Sequence, residues 1–128
     1  MNKKTTNAKV MIIGGGVTGM AAAVALDAIG IDSIIIEKSS VLGGKVREYS
    51  KLFPDFRSGK TIVNELVDKV QQSSRIRTIV SAYVKSIERI NGSYSVLASD
   101  QHRYNVRAII LACGFDVLEM HNAHGYLL

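Results

Sequence analysis

The stretch Val10–Glu37, VMIIGGGVTGMAAAVALDAIGIDSIIIE, limits what this chain can fold into more than any other part of it. Four apolar residues (Val10, Met11, Ile12, Ile13) run into Gly14-Gly15-Gly16-Val17-Thr18-Gly19, a G-x-G-x-x-G pattern. An Ala-rich segment continues to Ile29, Gly30 interrupts it, and a second apolar run, Ile34–Ile36, closes on Glu37, 18 residues past Gly19. The glycine pattern alone is weak evidence. Placed between a predicted strand and a predicted helix, with an acid ending the next strand, it has the context of a dinucleotide-binding βαβ unit. Gly14 permits the tight turn, Gly16 lets a pyrophosphate approach the backbone, and Gly19 allows close packing of helix on strand. The helix starting near Val17 turns unpaired N–H groups and its positive dipole end toward the phosphates, worth roughly 0.3–1 kcal/mol, or up to ~2 when partly buried. Glu37 is placed to accept hydrogen bonds from an adenosine ribose, and its charge would repel a 2′-phosphate, which argues against NADP. The bland alternative, a glycine-rich turn without a ligand, does not explain why these features coincide.

One hundred and twenty-eight residues suit a single domain, residues 1–128, that buries about two thirds of its unfolded surface. With 47% apolar and 21% charged residues the chain is globular. The net charge of +5 could point to nucleic acid. The basic residues are scattered, however, apart from Lys3, Lys4 and Lys9, and there is no Trp, so the charge reads as solvated surface and no nucleic-acid partner is expected. Val10–Leu26 is 17 residues without a charge, but four of them are glycine, which a strand–turn–helix explains and a membrane span does not. The single cysteine cannot form an internal disulfide and agrees with a reducing, cytoplasmic setting.

Taken in order, residues 1–9 form a polar lead-in expected to be mobile. Val10–Ile13 is a buried parallel strand, Thr18–Ile29 a helix ended by Gly30, and Ile34–Glu37 the second strand, laid beside the first by a right-handed crossover. Gly43-Gly44-Lys45 follows, two glycines that again admit a ligand to the backbone and a lysine that offers it charge. Lys51–Phe56 reads as a loop with two aromatic residues and the only proline. Ser58 is a candidate N-cap for a helix whose Ile62, Val63, Leu66, Val67 and Val70 make one apolar stripe. Arg75–Val80, Tyr83–Ile90, Ser93–Ala98 and His102–Arg107 read as strands of an antiparallel meander over about residues 75–107, with Asn91-Gly92 as a hairpin turn. Ala108–Ala112 is apolar throughout and fits a parallel strand buried on both faces, ending in Cys113-Gly114-Phe115-Asp116. His121 and His124 read as surface or turn residues of a short tail. The expected fold is α/β, a Rossmann-like parallel sheet with a small antiparallel insertion.

This order of motifs resembles the FAD-binding domain of the flavoprotein oxidoreductases of the glutathione-reductase/amine-oxidase superfamily, over about residues 8–116. Their second flavin motif, an apolar strand ending Ala-Thr-Gly, stands here as Ala112-Cys113-Gly114. More narrowly, GGKVREYSKLFPDF and ILACGFD are similar to segments of the A subunits of heterodisulfide reductase. The resemblance implies FAD as cofactor, with Gly14, Gly16, Val17, Thr18 and Gly19 at its pyrophosphate. Glu37 would bind the adenosine ribose, Lys38 would flank the adenine, and Gly44 and Lys45 would line the path to the ribityl chain. Val84 would meet the adenine through its backbone, and Ala112, Cys113 and Gly114 would close over the cofactor. Cys113 replaces the family's threonine, removing a hydroxyl at similar size, and reads as a small residue at a strand end. The A subunits of heterodisulfide reductase also carry cysteine clusters for iron–sulfur centres, which one cysteine cannot build. In the superfamily a later segment completes the flavin site, so catalysis is expected to need a partner chain or further domain. A non-catalytic nucleotide-binding module and an NAD-dependent dehydrogenase domain are the alternatives. Gly43-Gly44 and the meander count against the latter.

Overall fold

The computed structural model describes residues 8–116. β1 (Val10–Ile13) pairs in parallel with β2 (Ser33–Ile36), Val10 opposite Ser33 and Ile13 opposite Ile36. Between them runs α1 (Val17–Ala28). It stops where Gly30, at φ 77°, lets the chain reverse: the Gly30 amide donates to the carbonyl of Asp27 and that of Ile31 to Leu26, both at 2.9 Å. These two bonds form a Schellman C-cap, which satisfies carbonyls that the helix end would otherwise orphan. α2 (Gly59–Gln72) starts as expected, with the Ser58 hydroxyl accepting from the Thr61 amide at 3.1 Å.

The parallel sheet has four strands in the order β3 (Ile76–Ile79), β2, β1, β7 (Ala108–Leu111). Helices cover one face, where Val10, Ile12 and Ile35 pack with Met20, Ala23, Val63 and Val70. On the other face Met11, Ile34 and Ile36 pack with Val96, Ala98, Tyr104 and Val106 of the antiparallel sheet β4 (Val84–Ile90), β5 (Ser93–Ala98), β6 (Arg103–Val106). Covering on both sides explains why β1 and β2 are continuous apolar runs and do not alternate. Each of the fully buried isoleucines at positions 12, 34 and 35 contributes on the order of 1.5–3 kcal/mol. The β4–β5 turn has Asn91 at φ 49° and Gly92 at φ 79°, the paired positive values that make Asn-Gly a tight hairpin turn.

Three sequence expectations need correction. Arg75–Val80 does not belong to the meander: β3 pairs in parallel with β2, Ser33 opposite Ile76, so the antiparallel sheet spans Val84–Val106. The partial exposure of β3 (Arg77 and Thr78 exposed, Ile76 buried) comes from its place at the sheet edge. A helix immediately before a strand brings it back parallel, the stronger cue here. Ala108–Ala112 does not form a strand buried on both faces either. Among the described residues β7 is an edge strand, parallel to β1, with Leu111 72% exposed. Ala8 and Lys9 do not belong to a mobile lead-in: Ala8 packs against the meander-side core, and the Lys9 carbonyl accepts from Arg107 at 2.8 Å. Within the loop after β2, Gly44–Glu48 winds into a 3-10 turn that the sequence did not reveal. His121 and His124 lie outside the described residues.

The meander holds one polar knot. The Tyr104 hydroxyl donates to Asp100 at 2.9 Å, and burial together with that bond pushes the phenol up to about 12. The folded phenol therefore keeps its proton above the unfolded pKa of ~10. This contribution to stability is intact below about pH 10 and lost as pH rises through about 12. Melting temperature is expected to fall over that range, with a shallower fall in Tyr104→Phe; equal slopes would contradict it.

Candidate functional site

The carboxyl ends of β1, β2 and β7 open onto a cleft of about 790 Å³. In an open α/β sheet, ligands bind beyond the carboxyl ends of the strands. The cleft floor is the first glycine loop. Its Gly14 amide donates to the Ile36 carbonyl at 2.9 Å, and the Ala112 amide donates to Ile13 at 2.8 Å, so the loop joins all three strand ends.

The glycines divide by cause. A Cβ on Gly14, at φ 111°, would lie 2.1 Å from the Ala112 carbonyl oxygen, and one on Gly19 would lie 1.9 Å from the Gly14 carbonyl oxygen. Folding alone demands both. Gly16 differs: its backbone is extended at φ −78°, and a Cβ there would meet only the Gly44 Cα, at 3.9 Å. A Cβ at Gly16 thus meets no clash within the protein, so packing does not account for glycine there.

Gly43-Gly44 is the opposite wall. The Gly43 amide donates to the Gly15 carbonyl at 2.8 Å, and Gly16 and Gly43 form an isolated parallel bridge. The two glycine motifs, far apart in sequence, are thus zipped together. Gly16, at the N-cap of α1, has no side-chain cap bond, and the first turn carries no acidic residue. Among the described residues the first N–H groups of α1 thus have no acceptor from either source, and Gly16, Val17 and Thr18 line the cleft, an arrangement suited to an anion.

Glu37 lies just past β2, 8% exposed, with Oε2 accepting from the Gly15 amide at 2.7 Å and Oε1 from the Ser39 amide at 2.8 Å. At the far side Lys45 bonds to Asp116 at 2.9 Å and stands 5.2 Å from the Phe115 ring centre. The hydrogen bond and charge of Lys45, with Lys38 behind it, hold the Asp116 carboxyl below its ordinary range. The Cys113 thiol, exposed at the rim, points to the Ile13 carbonyl at 3.6 Å.

Of the residues singled out from sequence, Gly14, Gly16, Val17, Thr18, Glu37 and Lys38 line this cleft together with Gly44, Lys45, Val84, Ala112, Cys113 and Gly114. Gly19 lies beneath it, buried against the Gly14 carbonyl. Sequence reasoning missed Arg47, Tyr49, Tyr83 and Asp116 among the lining residues. Tyr83 adjoins Val84 and Asp116 follows the apolar β7 run, but only the fold turns them to one opening. Arg47, which donates to the Leu42 carbonyl at 2.7 Å, had no signal beyond its closeness to the glycine pair.

Residues 8–126 match the profile of the family described as pyridine nucleotide-disulphide oxidoreductase. The chain belongs to that family. Within it, the chain is 27% identical over 113 residues to the A subunit of the H(2):CoB-CoM heterodisulfide,ferredoxin reductase of Methanothermobacter marburgensis, covering 88% of this chain and 17% of the relative. The iron-sulfur A subunit of the CoB–CoM heterodisulfide reductase of Methanocaldococcus jannaschii is 30% identical over 104 residues, covering 81% and 16%. The chain thus spans about a sixth of the length of these relatives. Thioredoxin reductase from Lactococcus lactis shares the fold, with TM-score 0.77 and 19% identity over 90% of this chain and 38% of that one. The chain is a Rossmann-type FAD-binding domain of that family, similar to the A subunits of heterodisulfide reductase. The side-chain-free wall at Gly16 and the uncapped helix fit the diphosphate of FAD. Among the described residues no helix is long and apolar enough to cross a membrane.

Proposed function

We propose that this chain carries the flavin of an electron-transfer oxidoreductase of the heterodisulfide reductase kind, and that a further domain or partner chain completes its redox site in the cytoplasm. The observation that carries the reading is the doubled glycine wall, Gly14–Gly16 bonded to Gly43 beside an uncapped helix. FAD, when bound, supplies reversible electron transfer; the chain's own residues bind and orient it. Gly14, Gly16, Val17 and Thr18 would hold the diphosphate, with Gly19 supporting them from below. Glu37 would take the adenosine ribose, Lys38 and the Val84 backbone the adenine side. Gly44 and Lys45 would follow the ribityl chain, and Ala112, Cys113 and Gly114 would cover it. The edge of β7 that is unpaired among the described residues, with exposed Leu111 and Phe115, is where a strand of the completing partner would pair.

Titration of the purified chain tests the reading. FAD is expected to bind with a shift in flavin absorbance, and to raise the melting temperature more than ADP does. Equal effects of FAD and ADP would favour a module that holds only the nucleotide half. Absence of binding by FAD, NAD and ADP alike would end the reading.

A further inference from the structure

We propose that Glu37 is the positioning residue of the diphosphate cradle as well as a partner of the ribose; the proposal rests on the nucleotide reading above. Glu37 spends a lone pair of each oxygen on the protein. Oε2 accepts from the Gly15 amide at 2.7 Å and Oε1 from the Ser39 amide at 2.8 Å. The first is a buried charge-assisted bond between a carboxylate and a peptide of the glycine loop, about twice the strength of a neutral one.

Gly15 is therefore held on both sides. Its N–H is fixed by Glu37, and its carbonyl accepts from the Gly43 amide at 2.8 Å. The peptides before and after Gly15 are those that set the direction of Gly14 and Gly16. The carboxylate thus connects the end of β2, the first glycine loop and, through it, the second glycine pair. Glycine at position 15 is part of the device: a Cβ there would sit 3.1 Å from Glu37 Oε2 and 2.5 Å from Leu42 Cδ2, driving loop and acid apart. Each carboxylate oxygen accepts more than one bond, so a lone pair on each is left for a ribose diol. One side chain then aligns the diphosphate and ribose subsites.

The test separates the two roles with a ligand that has no ribose hydroxyls. Wild type and Glu37→Met, which keeps the length and removes both acceptors, are titrated with ADP and with 2′,3′-dideoxy-ADP. The substitution is expected to weaken dideoxy-ADP about tenfold, the order expected for one lost charge-assisted bond, and ADP by more. In amide NMR spectra the Gly15 proton is expected to move upfield while the meander amides stay in place. Unchanged dideoxy-ADP affinity with weakened ADP would confine Glu37 to the ribose and overturn the proposal. So would wild type that binds ADP but not dideoxy-ADP, since the cradle would then have no affinity of its own. Failure of wild type to bind ADP would instead sink the nucleotide reading itself. If Glu37→Met does not fold, Glu37→Gln, which keeps one acceptor, is expected to show a smaller paired loss. Collapse of both variants would make Glu37 a residue of the fold alone and count against the proposal.

Discussion

Gly19→Ala is expected to lower stability by about 3 kcal/mol, the upper end of overpacking costs, because the contact it creates cannot be relieved by a rotamer change. The new Cβ would lie 1.9 Å from the Gly14 carbonyl oxygen and 3.2 Å from Ile12 Cγ2. Both partners belong to β1 or the turn directly after it, so relief requires the whole of α1 to lift from the sheet. That movement also separates Met20 and Ala23 from Ile12 and Ile35, the centre of the helix-side core. At a few degrees per kcal/mol for a domain of this size, the melting temperature should drop by roughly 10 °C. Circular dichroism on heating measures it. A drop of less than ~2 °C would mean that helix and strand are not as close as the structure has them.

Gly16→Ala should do the reverse, although it changes the same motif by the same methyl group. At φ −78° alanine is unstrained, and its Cβ would find nothing nearer than the Gly44 Cα at 3.9 Å. Stability should stay within ~1 kcal/mol of wild type, because the smaller freedom alanine loses on folding is offset by its poorer fit than glycine at the N-cap of α1. Affinity for FAD and ADP should fall by roughly 10- to 100-fold, since the methyl group occupies the wall against which the diphosphate would rest. Thermal melting and flavin titration of one preparation decide both halves. A variant as stable as wild type that binds FAD equally well would show that the diphosphate does not lie against Gly16. The pair of substitutions separates a glycine kept for packing from a glycine kept for a ligand.

Much of this is legible in the sequence because the determinants are local. The strand–glycine–helix–strand–acid series lies within Val10–Glu37, and its parallel pairing follows from the short helical crossover. The Ser58 cap and the Asn91-Gly92 turn are equally local, each set by a few adjacent residues. Sequence misplaces β3 for a definite reason. The polar Arg77 and Thr78 beside Ile76 report that the strand is partly wet, and an edge strand of a parallel sheet is as wet as a strand of a meander. Likewise the apolar run Ala108–Leu111 implies a strand, but nothing in it tells whether a second neighbour is present.

What the sequence determined by itself is the chemistry of the βαβ unit. Glycines without side chains, an apolar strand and a terminal acid can be spaced this way for one kind of backbone, whatever surrounds them. Only the tertiary structure decided which glycines packing demands and which it leaves open, that Gly43 bonds to Gly15, and that Lys45 meets Asp116 across the opening. Those pairings join residues 28 and 71 positions apart. Side-chain periodicity records how wet a position is; it carries no information about which distant segment a backbone amide or a lysine will meet, and the packed layers alone settle that.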